Sequence, residues 1–146
     1  MPSGKILTAK NRYESALNRI GRQIMKAKMV HYNIHVLDAE KSKAFYLEAL
    51  GLEEKRVVGP EDRSWGLIYL SNDTTDFELE LTWNEGRTEP YNNGGEDNHL
   101  AFKVDNYEEA LALHRSMGCV VYENKDMGIH FIIDPNGCWI EVIPVR

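Results

Sequence analysis

Four side chains able to bind a metal, His31, Glu80, His99 and Glu141, recur at matching places in two halves of the chain. The first half carries His31-Tyr32-Asn33-Ile34-His35-Val36 and Glu80-Leu81-Thr82-Trp83, the second His99-Leu100-Ala101-Phe102-Lys103-Val104 and Glu141-Val142-Ile143. Two neutral imidazoles with two carboxylates suit a divalent first-row ion that keeps positions open for water or substrate, and do not suit a closed thiolate cage. Taken singly, each residue reads as a surface carboxylate or a satisfied histidine. It is the recurrence of a His and Glu pair in both halves that makes them a candidate site.

The segments that must hold these residues repeat with them. His31 to Gly51 is 20 residues and His99 to Gly118 is 19, and both intervals read as strand, capped helix and glycine stop. Asp38 is placed to cap a helix whose apolar side runs Phe45, Tyr46, Ala49, Leu50, with Gly51 in the left-handed position after it. In the copy, Asn106 or Asp105 caps, Glu108 and Glu109 fill the first turn, Ala110, Leu111 and Met117 turn inward, and Gly118 ends the helix. Strand-like stretches follow each glycine: Glu53 to Val58, Trp65 to Leu70 and Phe77 to Trp83, then Val120 to Glu123, Ile129 to Ile133 and Cys138 to Ile143. Turn residues separate them, including Gly59-Pro60-Glu61-Asp62, Ser71-Asn72-Asp73 and Asp134-Pro135-Asn136-Gly137. The predicted fold class is α+β, with two tandem βαβββ modules at residues 29–83 and 98–146 and a linker at 84–97.

Composition is that of a domain able to bury one core, with 42% hydrophobic residues over 146 positions and no run approaching the ~18 apolar residues of a membrane span. Cys119 and Cys138 lack CxxC spacing and sit in predicted strands, as reduced core residues of a cytoplasmic protein would. The net charge of −6 hides a split. Residues 1–28 carry seven Lys/Arg against Glu14 alone, whereas residues 29–146 carry ten against twenty-two acidic residues. An acidic body argues against nucleic acid as the main partner. The basic leader places Tyr13, Ala16, Leu17, Ile20 and Ile24 at helical spacing, which predicts an amphipathic docking helix or an added extension outside the repeat, in preference to a transit peptide.

Residues 29–146 resemble glyoxalase I (lactoylglutathione lyase), of the short bacterial kind within the vicinal oxygen chelate superfamily. The resemblance is carried by the His31 strand followed by Asp38, Phe45-Tyr46 and Leu50-Gly51-Leu52, then Glu80-Leu81-Thr82-Trp83-Asn84, then Asn98-His99, and finally Asp134-Pro135-Asn136-Gly137-Cys138-Trp139-Ile140-Glu141. The Glu-Leu-Thr-aromatic-Asn segment is fairly specific to glyoxalase I, while the Asp-Pro-x-Gly turn into Ile-Glu is shared across the superfamily. The resemblance implies one divalent metal per site on His31, Glu80, His99 and Glu141, with nickel or cobalt favoured by a His first ligand and zinc as an alternative. It also implies isomerisation of a hemithioacetal of methylglyoxal and a thiol to a lactoyl thioester. Glu141 is then the base and Glu80 the partner for proton return. A homodimer is expected, with the metal site either between modules of different chains or within one. Two other classes stay open: another metalloenzyme of the same fold, such as a dioxygenase or thiol transferase, and a metal-free binding protein. Fold alone separates none of them.

The thiol is the least defined part of this reading. Where glutathione-using relatives place an Arg on the first strand, this chain has His35, and a largely neutral imidazole cannot reproduce a charged bidentate fork. His35 reads equally as a packed strand histidine. Asn84 matches a family contact to glutathione, and Lys125 lies where relatives carry a basic contact to the thiol. His114 and His130 have no counterpart in the other half and read as structural or exposed. Trp65, Trp83 and Trp139 read as core residues more than as ligand contacts. Asn92-Asn93-Gly94-Gly95 lacks a following Gly-Lys-Ser/Thr and is a linker, not a phosphate loop.

Overall fold

The computed structural model describes residues 8–21 and 25–146. Ahead of the repeat, α1 (Ala9–Ile20) is capped by Thr8, whose hydroxyl oxygen accepts from the Asn11 amide, and stops at left-handed Gly21. Most of its described side chains are exposed, with Ala16 and Leu17 half-buried. Ile24 of the predicted amphipathic stripe lies outside the described residues.

Module one is β1 (His31–His35), α2 (Ala39–Leu50), β2 (Glu53–Val58), β3 (Trp65–Ser71) and β4 (Glu78–Asn84). Module two repeats it as β5 (His99–Val104), α3 (Tyr107–Ser116), β6 (Val120–Asn124), β7 (Ile129–Ile133) and β8 (Trp139–Pro144). The sheet orders are β1-β4-β3-β2 and β5-β8-β7-β6, with the first and last strands of each module parallel and the others antiparallel. These are the tandem βαβββ modules of an α+β fold. The crossover helices form where the sequence predicts them. Asp38 accepts from the Lys41 amide, Asn106 accepts from the Glu109 amide, and Gly51 and Gly118 adopt φ of 65° and 67°, which an L side chain adopts at a cost.

A second repeated feature is a register shift. It falls between Glu54 and Arg56 in β2 and between Val120 and Tyr122 in β6. Each bulge turns the next side chain onto its strand partner, Arg56 opposite Tyr69 and Tyr122 opposite Phe131.

One apolar core serves both modules. Ile34, Ile68, Leu70, Leu79 and Leu81 from the first sheet meet Ile132, Ile140 and Val142 from the second, with Tyr46 and Ala49 from α2. Strand alternation therefore turns the other face of each sheet, the one bearing the His and Glu residues, away from this shared core. Polar contacts lock the modules together. Asp134 accepts from the backbone of Asn136 and Cys138 at 2.8 Å each, and from the buried Tyr46 hydroxyl of α2 at 2.9 Å. Asn136 donates to Ser42 Oγ at 3.0 Å and accepts from the Leu37 amide at 3.3 Å. Burial and then the neighbouring Asp134 carboxylate hold the Tyr46 phenol well above its ordinary pKa, so it remains a donor. Cys119 and Cys138 are free and buried, and burial pushes the Cys138 thiol up to about 12. No described helix is long and apolar enough to cross a membrane.

Candidate metal and active site

Parallel pairing of the first and last strands delivers the predicted ligands in twos. With Asn33 opposite Glu80, His31 and Glu80 share the open face of the first sheet, and His31 Nε2 lies 3.6 Å from Glu80 Oε2. With Ala101 opposite Glu141, the second sheet repeats the arrangement, and His99 Nε2 lies 3.4 Å from Glu141 Oε2. Both imidazoles remain about 40% exposed. The chain thus joins His31 to Glu80 and His99 to Glu141. It does not join the two pairs, since no group of three or more His, Cys, Asp or Glu converges among the described residues.

The donor chemistry suits a cation. Two atoms each about 2.0–2.2 Å from one divalent ion sit roughly 3–3.5 Å apart at ordinary coordination angles, close to both observed separations. Neither imidazole enters a hydrogen bond among the described residues, which leaves both ring nitrogens available. Each pair supplies one nitrogen and one oxygen, so the full set of two nitrogens and two oxygens needs both half-sites.

The surroundings of the two pairs differ. Glu80 is buried, and Asn33 donates to its Oε1 at 2.7 Å while also donating to Thr82 Oγ1 at 2.6 Å. Tyr69 stands opposite Glu80, whose carboxylate raises the phenol above its ordinary pKa. The Arg56 guanidinium lies 3.4 Å over the Tyr69 ring and pairs with Glu78 at 2.8 Å. Around Glu141 the equivalent places hold Ala101, Phe131, Trp139 and Ile143, with the Phe131 ring edge-on to His99 at 5.3 Å. Asn33, Tyr69 and Arg56 were not singled out by sequence reasoning. Strand parity from Glu80 could have placed Asn33 beside it, but Arg56 reaches the site only through the bulge.

His35 and Asn84 share one setting, and Lys125 lies in another. Asn93 of the linker clamps the His35 backbone, accepting from its N–H at 3.0 Å and donating to its carbonyl at 2.9 Å. The His35 ring is 5.0 Å from Tyr91, whose hydroxyl accepts from Asn84 Nδ2 at 3.0 Å, and the Arg87 guanidinium lies 4.6 Å over the same tyrosine. His35, Asn84 and Arg87 therefore gather around Tyr91. Lys125 is exposed at the β6–β7 turn, lining a groove with Tyr107, Leu111 and Arg115 of α3. His114 and His130, read as structural or exposed, are fully buried and bonded to each other at 2.8 Å. Trp83 packs against the core, and a Cβ on Gly66 would run into its indole nitrogen; Trp65 is partly exposed.

Comparison with known proteins agrees with this architecture. Residues 28–142 match the family described as the Glyoxalase/Bleomycin resistance protein/Dioxygenase superfamily. The lactoylglutathione lyase of Salmonella typhimurium is 30% identical over 129 residues, covering 82% of this chain and 93% of the relative. That of Schizosaccharomyces pombe is 30% identical over 144 residues, covering 80% of this chain and 47% of the relative. Among solved structures, the trypanothione-dependent glyoxalase I of Leishmania major superimposes with a TM-score of 0.68 at 28% identity, over 82% of this chain and 87% of that one. The chain belongs to the Glyoxalase/Bleomycin resistance protein/Dioxygenase superfamily.

Proposed function

We propose that the protein is a metal-dependent isomerising lyase of the glyoxalase I type, converting the hemithioacetal of methylglyoxal and a thiol into a lactoyl thioester. The observation that carries this reading is the pair of matched half-sites, each presenting one imidazole nitrogen and one carboxylate oxygen 3.4–3.6 Å apart on an open sheet face. A three-ligand dioxygenase or thiol transferase has no need of Glu80, and a metal-free binding protein has no need of either pair. Relatives at 30% identity are lactoylglutathione lyases, which favours the same choice.

A divalent ion held by His31, Glu80, His99 and Glu141, with nickel or cobalt favoured over zinc, would supply Lewis-acid stabilisation of the negative charge that develops on the substrate oxygens. The proton transfers belong to the carboxylates. Glu141 takes the C1 proton; the C1–H electron pair forms the C1–C2 double bond, and the carbonyl pair moves onto the C2 oxygen. Glu80 takes the C1 hydroxyl proton as the thioester carbonyl closes and delivers it to C2, and the C2 oxygen takes the proton held by Glu141, which gives the lactoyl hydroxyl and leaves both carboxylates as they began. The change is an isomerisation and needs no redox cofactor. Positioned groups of this kind contribute about 10² to 10⁴ in rate.

Two half-sites facing away from the shared core are completed by a second copy, so the enzyme works as a homodimer in which His31 and Glu80 meet the other chain's module two. The open faces fit that role: Val58 and Tyr122 are exposed on them, apolar surface of the kind that association covers. For the thiol, the His35, Asn84 and Arg87 cluster on Tyr91 offers donors to a carboxylate, and Lys125 is a second candidate contact. The test is thioester formation from methylglyoxal with a panel of thiols, glutathione and trypanothione included, before and after addition of nickel or cobalt. Metal-dependent thioester is the expected product; its absence with every thiol and metal overturns the reading.

A further inference from the structure

The two carboxylates occupy equivalent strand positions, yet their neighbours are opposite in kind. Asn33 and Ala101 are register equivalents, each directly across the parallel pair from its glutamate. Tyr69 and Phe131 are equivalents across the antiparallel pair. Thr82 and Ile143, and Glu78 and Trp139, complete the correspondence on β4 and β8. Beyond the shared histidines His31 and His99, these four polar neighbours of Glu80 are thus matched by apolar ones around Glu141. The Asn33 amide holds Glu80 Oε1 at 2.7 Å and is itself held by Thr82 at 2.6 Å, which fixes one oxygen and leaves Oε2 directed at His31. Glu141 receives no side-chain hydrogen bond among the described residues, and the Ala101 methyl opposite it has no donor to give.

From this asymmetry we infer that Asn33 is a positioning residue that immobilises Glu80 as the fixed carboxylate of the site, and that the absence of a donor at Ala101 leaves Glu141 free to move toward the substrate proton. The inference rests on the functional reading above and deepens it. An outer-shell hydrogen bond to a ligating carboxylate fixes its orientation, and its loss typically lowers metal affinity or activity by about 10- to 100-fold. The same bond on a carboxylate that must swing would hinder it.

The test removes the donor from one half and installs it in the other. Asn33→Leu keeps size and deletes the amide; Asn33→Ala serves if the leucine variant fails to fold, because it removes the donor without adding bulk or charge. Ala101→Asn places the same amide opposite Glu141. The unloaded chains are titrated with cobalt, following its visible absorption, and then assayed for thioester formation. Weaker cobalt binding by about tenfold or more is expected for the Asn33 variants. Ala101→Asn is expected to bind cobalt at least as well as wild type while kcat falls about tenfold and KM changes little. Unchanged cobalt affinity in the Asn33 variants, or unchanged kcat in Ala101→Asn, overturns the inference and leaves the functional reading intact. A wild-type chain that takes up no cobalt overturns the functional reading, and the inference with it.

Discussion

His114 Nδ1 and His130 Nε2 lie 2.8 Å apart with both side chains fully buried, so a single proton is shared between the two rings. His114 Nε2 faces the Ala49 carbonyl at 2.7 Å, which only accepts, and His130 Nδ1 faces the Tyr107 hydroxyl at 3.0 Å. The carbonyl makes His114 donate through Nε2, and the His130 ring bridges His114 and Tyr107, in a chain running from the end of α2 through α3 to β7. A second proton has no acceptor there.

Acid should therefore loosen the junction of the modules. Burial first, and then the neighbouring His114, lowers the His130 pKa from 6.5 to about 4. Between those values the unfolded chain binds more protons than the folded one, so stability is full above pH 6.5 and falls as pH drops toward 4. The loss from this residue should reach roughly 2–3 kcal/mol between pH 7.5 and 4.5. Urea unfolding at both pH values measures it. The His130→Gln variant should lose less stability across the interval than wild type, and equal losses would remove His130 as the cause.

Tyr46→Phe separates fold stability from the site. It deletes the donor to Asp134 Oδ2 and leaves that buried oxygen with Asn136 alone. A hydrogen bond to a charged group is worth about 1.5–3 kcal/mol, and stability by urea titration should drop by that order with metal affinity unchanged. A variant as stable as wild type would mean that the turn does not anchor the modules through this bond.

Glu141→Gln distinguishes holding a metal from moving a proton. Its amide oxygen can still ligate, but it cannot accept the C1 proton near neutral pH. Turnover should fall by about 10² or more while metal uptake falls less. Turnover near the wild-type rate would pass the role of base to Glu80.

Most of the secondary structure was legible because each segment carries its own signal. Asp38 with Gly51 and Asn106 with Gly118 bracket helices, and period-two alternation places His31 and Glu80, or His99 and Glu141, on one face of their strands. What could not be read depends on contacts far apart in sequence. That the half-sites face away from each other follows from both sheets sharing one core, which no local pattern encodes. The bulges that set Arg56 on Tyr69 and Tyr122 on Phe131 leave no mark in the alternation of short strands. Asn33 looks like an ordinary polar strand residue until Glu80 is seen across from it. His114 and His130 have no counterparts in the other half because each is the other's partner, 16 positions away.

Paired inactivation tests directly whether one active site takes a His and Glu pair from each of two chains. His31→Ala disables module one and His99→Ala disables module two, so either variant alone has every site broken. Co-expressed as a mixed dimer, the two chains bring an intact module one against an intact module two in one of the two sites. Random pairing then restores about a quarter of wild-type thioester-forming activity in a metal-loaded preparation. Recovery near that level from two inactive parents is the expected result. A mixture as inactive as its parents, or a parent that is fully active alone, would contradict the account.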